Sequence, residues 1–229
     1  MNLGSLIMQR RFLFSSVLAL GLVSGIASHA SLLSTSAAPV LNSRFAHFVA
    51  ANAHGDEVAL AAEKFVAALA DQGIGFLSDK KITEEKRRAE FKALLNKNFD
   101  MNTIARFSLG RYWRSATQAQ RDEYVVLFKK MIVDVYSARF SDYQGQEIEV
   151  VGSRKEGERD ILVHSLLRQD GGPDVKVDWR VRNRSGAYQV IDVIVEGVSM
   201  AMTQRSDFSS VVQRGGGDVE ALLVHLRQE

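Results

Sequence analysis

Apolar residues recur at three- and four-residue spacing through the first half of the chain, which is the period of an amphipathic α-helix. The first such stripe, over residues 58–77, predicts a helix that begins near Asp56. A charged turn follows, and then a second helix whose inward residues are Phe91, Leu94 and Leu95. The pattern predicts helices over residues 56–140.

Two capping patterns mark further helices within that range. Asp100 can cap the start of a short helix, and Gly110 lies just beyond its end. Thr117 and Gln120 have the spacing of a capping box at the start of the longest helix. The wide apolar stripe of this helix predicts a buried face made by Tyr124, Leu127, Phe128, Met131, Ile132, Val135 and Tyr136.

After Tyr143 the period of the apolar residues changes from about four to two, which is typical of β-strands. Short, turn-rich links separate four strand-like segments, at 147–153, 160–168, 174–182 and 188–195. Links this short predict an antiparallel meander. In the third segment valines and Trp179 alternate with charged residues, so one face should be wet and the other covered by helices.

The last segment predicts two short helices. Ser206 or Asp207 can cap the first, which should end at Gly215, and Asp218 can cap a final helix to Leu226. The order is therefore helices over 56–140, a sheet over 147–196 and helices over 206–227. This order predicts an α+β fold with a curled, antiparallel, four-stranded sheet.

The N-terminus has the pattern of a secretory signal over residues 1–30. Arg10 and Arg11 precede an apolar run that is too short to span a membrane, and Ser28-His29-Ala30 is a small-x-small cleavage pattern. Residues 31–55 are small and polar, and we expect a flexible spacer there. The chain has no cysteine, so it lacks disulfides and thiolate metal sites. We expect an exported protein of the bacterial periplasm, with the signal removed.

Charge argues against nucleic acid as a partner. The chain has 29 basic and 27 acidic residues, and the signal contains two arginines and no acid. The mature chain would therefore be neutral, whereas nucleic-acid binding needs a basic face. The five histidines are scattered, so we expect no metal site, and we expect no cofactor.

Asp192 and Glu196 are the carboxylates that call for an explanation, because they lie in an otherwise apolar strand. A buried Asp192 could serve as a general base. It could equally pair with an arginine or cap backbone amides. A second open question concerns Tyr112 and Trp113, which lie between arginines and could either stack on a ligand or pack the short helix on the long one.

The ordered segments "FDMNTIARFSLGRYWRSATQAQRDEYVVLF" and "YQVIDVIVEGVSMAMTQRSDF" resemble the toluene-tolerance/MlaC family of periplasmic lipid-binding proteins. The resemblance covers about residues 56–226. It implies a curled sheet similar to the NTF2-like cone, wrapped by helices, with a small helical subdomain and a lipid-binding domain over 56–229. It implies a lipid carrier rather than an enzyme, and makes Asp192 and Arg205 structural, as a pair across the joint after the strand.

The resemblance also implies a cargo and partners. The protein would shuttle phospholipid between an inner-membrane ABC transporter complex, as its auxiliary component, and an outer-membrane acceptor complex, a system that maintains outer-membrane lipid asymmetry. The ending "AMTQRSDFSSVVQRGGGDVEALLVHL" is most similar to the subset associated with hopanoid biosynthesis, which implies a hopanoid-type lipid.

We expect the lipid to lie between the inward face of the sheet and the stripe of the longest helix. The candidate binding residues are Val163, Leu167, Val177, Trp179 and Val181 on the sheet, and Leu127, Met131 and Val135 on the helix. Two other functions stay open from the residues: an NTF2-like enzyme with Asp192 as general base on a hydrophobic substrate, and a structural adaptor that binds a membrane complex.

Overall fold

The computed structural model describes residues 43–184 and 187–228, with side chains from Glu57 onward. The first half of this region is helical. Its elements are α1 (Ser43–Ser78), α2 (Glu84–Asn98), α3 (Met101–Leu109), the single turn α4 (Tyr112–Ser115), α5 (Gln118–Ser137) and a 3-10 turn at Phe140–Asp142. Within the described ranges, no helix combines the length and the apolar character needed to cross a membrane.

Side-chain caps explain where these helices begin. Thr83 accepts a hydrogen bond from the Lys86 amide at the start of α2, and Asp100 accepts one from the Thr103 amide at the start of α3. Thr117 and Gln120 form both bonds of the predicted capping box at the start of α5. Gly110 ends α3 at φ 60°, a backbone conformation that favours glycine. The predicted caps of α3 and α5 are thus confirmed.

Helix α1 begins at Ser43, earlier than the start near Asp56 that the apolar period predicts. Residues 43–55 therefore lie in a helix, although the sequence predicts a spacer there. The reason is that Ala46, Ala50, Ala51 and Ala53 favour a helix strongly, although small residues are also common in spacers. The predicted signal over 1–30, and residues 31–42 of the predicted spacer, lie outside the described residues.

The sheet is an antiparallel meander with the strands in sequence order. Its strands are β1 (Glu147–Glu156), β2 (Asp160–Arg168), β3 (Val175–Arg184), β4 (Ala187–Val195) and the two-residue β5 (Val198–Ser199). The four predicted strands are confirmed, and β5 adds a short fifth. Register shifts in β1 near Gly152 and in β4 after Val190 bend the sheet, because each inserts an extra residue into one strand.

Glu196 and Gly197 form the two-residue turn between β4 and β5. Both have positive φ, 49° and 78°, as a tight hairpin turn requires. The chain then enters α6 (Met200–Arg214) directly from β5, and α7 (Val219–Arg227) follows with Asp218 as its cap, as predicted. The predicted cap of α6 at Ser206 or Asp207 is wrong. Ser199 caps this helix by accepting from the Met202 amide, and the two predicted residues lie inside it.

Two clusters of buried side chains hold these elements together. The helical core joins α3, α5, α6 and α7 around Tyr124, Phe128 and Phe208. The sheet core joins α1, α2 and the inner face of the sheet around Val66, Val163, Val181 and Val190. Phe99 packs against both clusters, and beside it the Asp100 amide donates to the Val190 carbonyl oxygen at 3.0 Å.

Candidate functional site

The candidate site is the inner face of the sheet, which carries the sheet residues expected to bind lipid. Ser153, Val163, Trp179 and Val193 form one row across β1–β4, because they are register partners. Neighbouring rows contain the other predicted residues, with Val181 beside Ile161 and Val190, Val177 beside Ser165 and Val195, and Leu167 beside Ile148 and Val175. The predicted sheet residues therefore share one face.

Helix α1 covers this face. The Ser153 hydroxyl donates to Glu63 Oε1 at 2.7 Å, and the Tyr188 hydroxyl donates to the Val58 carbonyl at 3.4 Å. The Tyr188 ring stacks on Phe65 with 6.0 Å between centroids. The small residues Ala62 and Val66 of α1 pack against the sheet, so the helix can lie close to it.

Burial changes from one end of the inner face to the other. Val163, Val181 and Val190 are fully buried in the sheet core. At the opposite end, Leu167 and Val195 are only half-buried. The inner face therefore has a closed end under α1 and an apolar end that is partly open, which we call the open end; its residues are Ile148, Leu167, Val175 and Val195.

Besides Ser153, which bonds to Glu63, a second set of polar side chains on this face makes its hydrogen bonds internally. Trp179 Nε1 donates to Ser165 Oγ at 3.0 Å, and that hydroxyl donates to the Val177 carbonyl at 2.7 Å. Ser165 is buried. Because the polar atoms are paired with each other, the face presents apolar surface to whatever packs on it.

The predicted helix residues are not brought to the sheet. Met131 is buried in the helical core, and Leu127 and Val135 pack against that core. Their stripe meets α3, α6 and α7 instead; Phe128, for example, contacts the ring of Phe208. The helix opposite the inner face is α1. The expectation that the stripe of α5 faces the sheet thus differs from the structure. An apolar stripe indicates that a helix is covered, but it does not indicate which element covers it.

Asp192 lies on the outer face, in register with Arg180. Its Oδ2 accepts from the Ser199 hydroxyl at 2.6 Å and its Oδ1 accepts from the Ala201 amide at 3.1 Å. The carboxylate therefore fixes the start of α6 to β4. The expected pairing with Arg205 is not formed, since the Arg205 guanidinium lies over the Phe107 ring at 5.3 Å.

Glu196 has a separate structural role. Its backbone amide donates to the Lys176 carbonyl at 2.9 Å, and its carboxylate accepts from the Lys176 amide. It closes the end of the β3–β4 pairing at the tight turn. The two carboxylates that lie four residues apart are therefore engaged with different parts of the backbone.

The sequence left open whether Tyr112 and Trp113 pack the helices together or are available to a ligand, and the structure gives a different answer for each residue. Tyr112 is buried in the helical core, as a packing residue. Trp113 is half-buried and borders an open cleft of about 480 Å³, whose lining includes Asp100, Arg106 and Arg184. The guanidinium groups of Arg106 and Arg121 lie over its ring at 5.9 and 5.6 Å.

The pKa shifts of Tyr124 and Arg182 come from contacts that stabilise the fold. Burial raises the pKa of Tyr124 well above its usual value, and its hydroxyl donates to the Ala105 carbonyl at 3.0 Å. On the outer face, hydrogen bonds to Asp160 raise the pKa of Arg182. Among the described residues, no three histidine, aspartate or glutamate side chains come together as a metal site would need.

Two curated proteins are related to this chain in sequence. Over 124 residues the chain is 23% identical to the intermembrane phospholipid transport system binding protein MlaC of Haemophilus influenzae, which covers 52% of this chain and 57% of that protein. Over 110 residues it is 26% identical to the toluene tolerance protein ttg2D of Pseudomonas putida, at 48% and 51% coverage. The chain thus spans about half the length of the curated relatives it matches.

A solved structure shares the fold. It is the phospholipid-binding protein from Ralstonia solanacearum in complex with a phospholipid, with a TM-score of 0.63 and 20% sequence identity. The match covers 72% of this chain and 94% of that one. At the level of sequence, residues 68–228 match the MlaC protein family, a range that includes α2–α7 and the whole sheet. The chain belongs to the MlaC protein family.

Proposed function

We propose that the protein binds a phospholipid in the periplasm and carries it between membranes. The proposal is supported by the family, by a curated relative named for intermembrane phospholipid transport, and by a structural neighbour that holds a phospholipid. The predicted signal over 1–30 supports export, and the lipid-binding domain would be the chain from residue 56 onward.

The observation that carries the proposal is the inner face of the sheet, which is apolar across four strands and partly open at one end. We place the acyl chains at the open end, on Leu167, next to the buried Val177 and the half-buried Trp179, with Val163 and Val181 as the packed floor. The head group would stay outside, in water. Each methylene moved from water to such a surface gains about 0.8 kcal/mol, so two acyl chains supply ample affinity.

The partners of the protein and the identity of its lipid are also part of the proposal. An inner-membrane transporter complex and an outer-membrane acceptor would be the two partners, and the cargo would be a phospholipid or a hopanoid-type lipid. The enzyme hypothesis for Asp192 has less support, because both of its carboxylate oxygens hold the start of α6, on the face of the sheet opposite the apolar site.

The test is a pair of tryptophan substitutions in β2. Leu167 points to the inner face and its neighbour Leu166 to the outer face, and both are half-buried leucines of one strand. Leu167→Trp should fill the open end, so the lipid that co-purifies in native mass spectrometry falls while thermal stability holds. Leu166→Trp is the matched control and should keep its lipid. Equal lipid content in both variants would reject this placement of the site.

Two further variants separate lining residues from solid core. Val181→Trp overpacks the sheet core and Leu127→Trp the helical core, which should each cost about 1–3 kcal/mol in the free energy of unfolding. If Leu127→Trp instead removes lipid and leaves stability unchanged, the stripe of α5 lines the site as the sequence predicts. Wild-type protein that carries no lipid at all would count against the carrier function itself.

A further inference from the structure

A set of arginines and aromatic rings lies together on the surface of the helical core. It surrounds the end of α3, the turn α4, the start of α5 and the middle of α6. We call it the arginine–aromatic surface, and its residues are Arg106, Phe107, Arg111, Tyr112, Trp113, Arg114, Arg121 and Arg205. Packing of α6 on α3 brings Arg205 beside Gly110 and into this set.

Aromatic rings and backbone carbonyls hold the guanidinium groups in place. Arg111 lies over the Tyr112 ring at 4.9 Å and donates to its hydroxyl at 2.8 Å. Arg121 lies over Trp113 and donates to the carbonyl oxygens of Trp113 and Arg114 at 2.8 and 3.3 Å. A guanidinium stacked on a ring keeps N–H groups at its edge available to an outside acceptor.

Carboxylates do not neutralise this surface. Among the described residues, none of its five arginines forms an ion pair, whereas Arg182, Arg168 and Arg227 elsewhere are each paired with an acid. Two acids line the cleft beside Arg106, and both are engaged with other groups: Asp100 pairs with Arg184, and Asp122 accepts from the side-chain amide of Gln118 at 2.7 Å. Within the part of the chain that the structure describes, the arginines of this surface are therefore free of direct ion pairs.

The surface is also accessible. Arg106, Arg111 and Arg114 are exposed. Phe107 is 39% exposed, which is high for a phenylalanine and places an apolar ring among the charges. Exposed rings among basic side chains are the composition found at membrane–water interfaces, where the ring sits at the level of the head groups.

We infer that the arginine–aromatic surface docks the protein on a membrane that contains anionic phospholipid. The basic residues of the surface are arginines, whose planar forks match the oxygen pairs of a phosphate, and their N–H groups meet no carboxylate in the described region. The surface is built on the helical core, whereas the proposed cargo site is built on the sheet. Docking and cargo binding can therefore be lost independently.

The experiment measures co-sedimentation of the purified protein with phosphatidylcholine vesicles that contain or lack phosphatidylglycerol. The test variant is Arg106→Gln with Arg114→Gln, two exposed residues whose loss should not disturb folding. The control variant is Lys80→Gln with Arg159→Gln, which removes the same charge from exposed sites at the α1–α2 and β1–β2 turns. Native mass spectrometry of the same preparations reports the bound lipid, so a failure of the cargo proposal is seen separately.

The wild type should bind the anionic vesicles, which contain phosphatidylglycerol, and should not bind the zwitterionic vesicles of phosphatidylcholine alone. Each basic residue near an anionic membrane contributes roughly fivefold to partitioning, so the test variant should bind about thirtyfold more weakly. The control variant should stay within about twofold, because its two charges lie at turns that are not part of the arginine–aromatic surface.

Two results would overturn the inference. One is wild-type protein that does not bind the anionic vesicles, and the other is equal loss of binding in the test and control variants. If the first result is accompanied by binding of poly-glutamate through Arg106 and Arg114, the surface belongs to an acidic protein partner instead.

Discussion

The substitution Asp192→Asn tests whether the carboxylate at the end of the sheet is a structural joint. In the structure Asp192 accepts one bond from the Ser199 hydroxyl and one from the Ala201 amide, at 2.6 and 3.1 Å. Ser199 in turn accepts from the Met202 amide at 3.0 Å, so the carboxylate also orients the cap of α6. Asparagine keeps the volume of the side chain and removes its charge and one of its two acceptors.

The magnitude follows from these contacts. A hydrogen bond to a charged group contributes about 1.5–3 kcal/mol net, and a negative charge at a helix N-terminus contributes about 0.3–1 kcal/mol. Asparagine can still accept from the Ala201 amide, so only part of this energy is lost. We expect the free energy of unfolding to fall by about 2 kcal/mol, which lowers the Tm by roughly 4–8 °C for a chain of this size.

The assay is thermal and urea unfolding, followed by native mass spectrometry of bound lipid. The matched control is Asp178→Asn. Asp178 is a half-buried carboxylate on β3, on the same outer face of the sheet, and its Oδ1 lies 2.8 Å from Nδ1 of His164. That variant should lose less than about 1 kcal/mol. Our reasoning is refuted if Asp192→Asn unfolds like the wild type, and a stable, lipid-loaded variant that has lost all activity would favour the enzyme hypothesis.

The remaining predictions concern the helical core, one turn and the N-terminus. Tyr124→Phe should cost about 0.5–1.5 kcal/mol at neutral pH, because the bond to the Ala105 carbonyl is lost. Burial raises the pKa of Tyr124, so its protonated form stabilises the wild type fully below about pH 10 and less as the pH rises above it; pH-dependent unfolding should show a shallower decline in the variant. Gly110→Ala should cost about 1–3 kcal/mol at φ 60°, whereas Gly73→Ala, a helical position with open space around it, should stabilise by about 0.4–1 kcal/mol, and a reversed order in urea unfolding would contradict the backbone argument. Export should expose a new N-terminus after Ala30 or a few residues later, and N-terminal sequencing that finds an intact Met1 on membrane-bound material would contradict it.

Local patterns were sufficient where a local interaction decides the structure. The alternation of Val175, Val177, Trp179 and Val181 with charged residues predicts strand β3 and its inward face, because side chains of a strand alternate strictly between two faces. Asp100 and Thr117 predict their helix starts because a cap bonds to amides only two or three residues away.

Long-range contacts could not be predicted in the same way. Ser206 and Asp207 resemble caps as much as Ser199 does, and what favours Ser199 is its contact with Asp192 on the preceding strand. The stripes of α1 and α5 are both apolar, so the sequence could not indicate which of them covers the sheet. The arginine–aromatic surface was visible in part, in the segment from Leu109 to Thr117, but Arg205 joins it only through the packing of α6 on α3.

The division between the helical core and the sheet core has a consequence for how the protein opens. Phe99 and the bond from Asp100 to Val190 connect the two clusters, while α1 and the inner face of the sheet belong to one of them alone. Local unfolding follows such contiguous cooperative units, so we expect the amide hydrogens of α1 to exchange faster than those of α5 and α6, while β2 and β3 stay protected by the hydrogen bonds between strands. A separation of α1 would uncover the floor of the inner face at a fraction of the energy of global unfolding, and under the proposed function it would let a lipid enter while the helical half of the molecule stays intact.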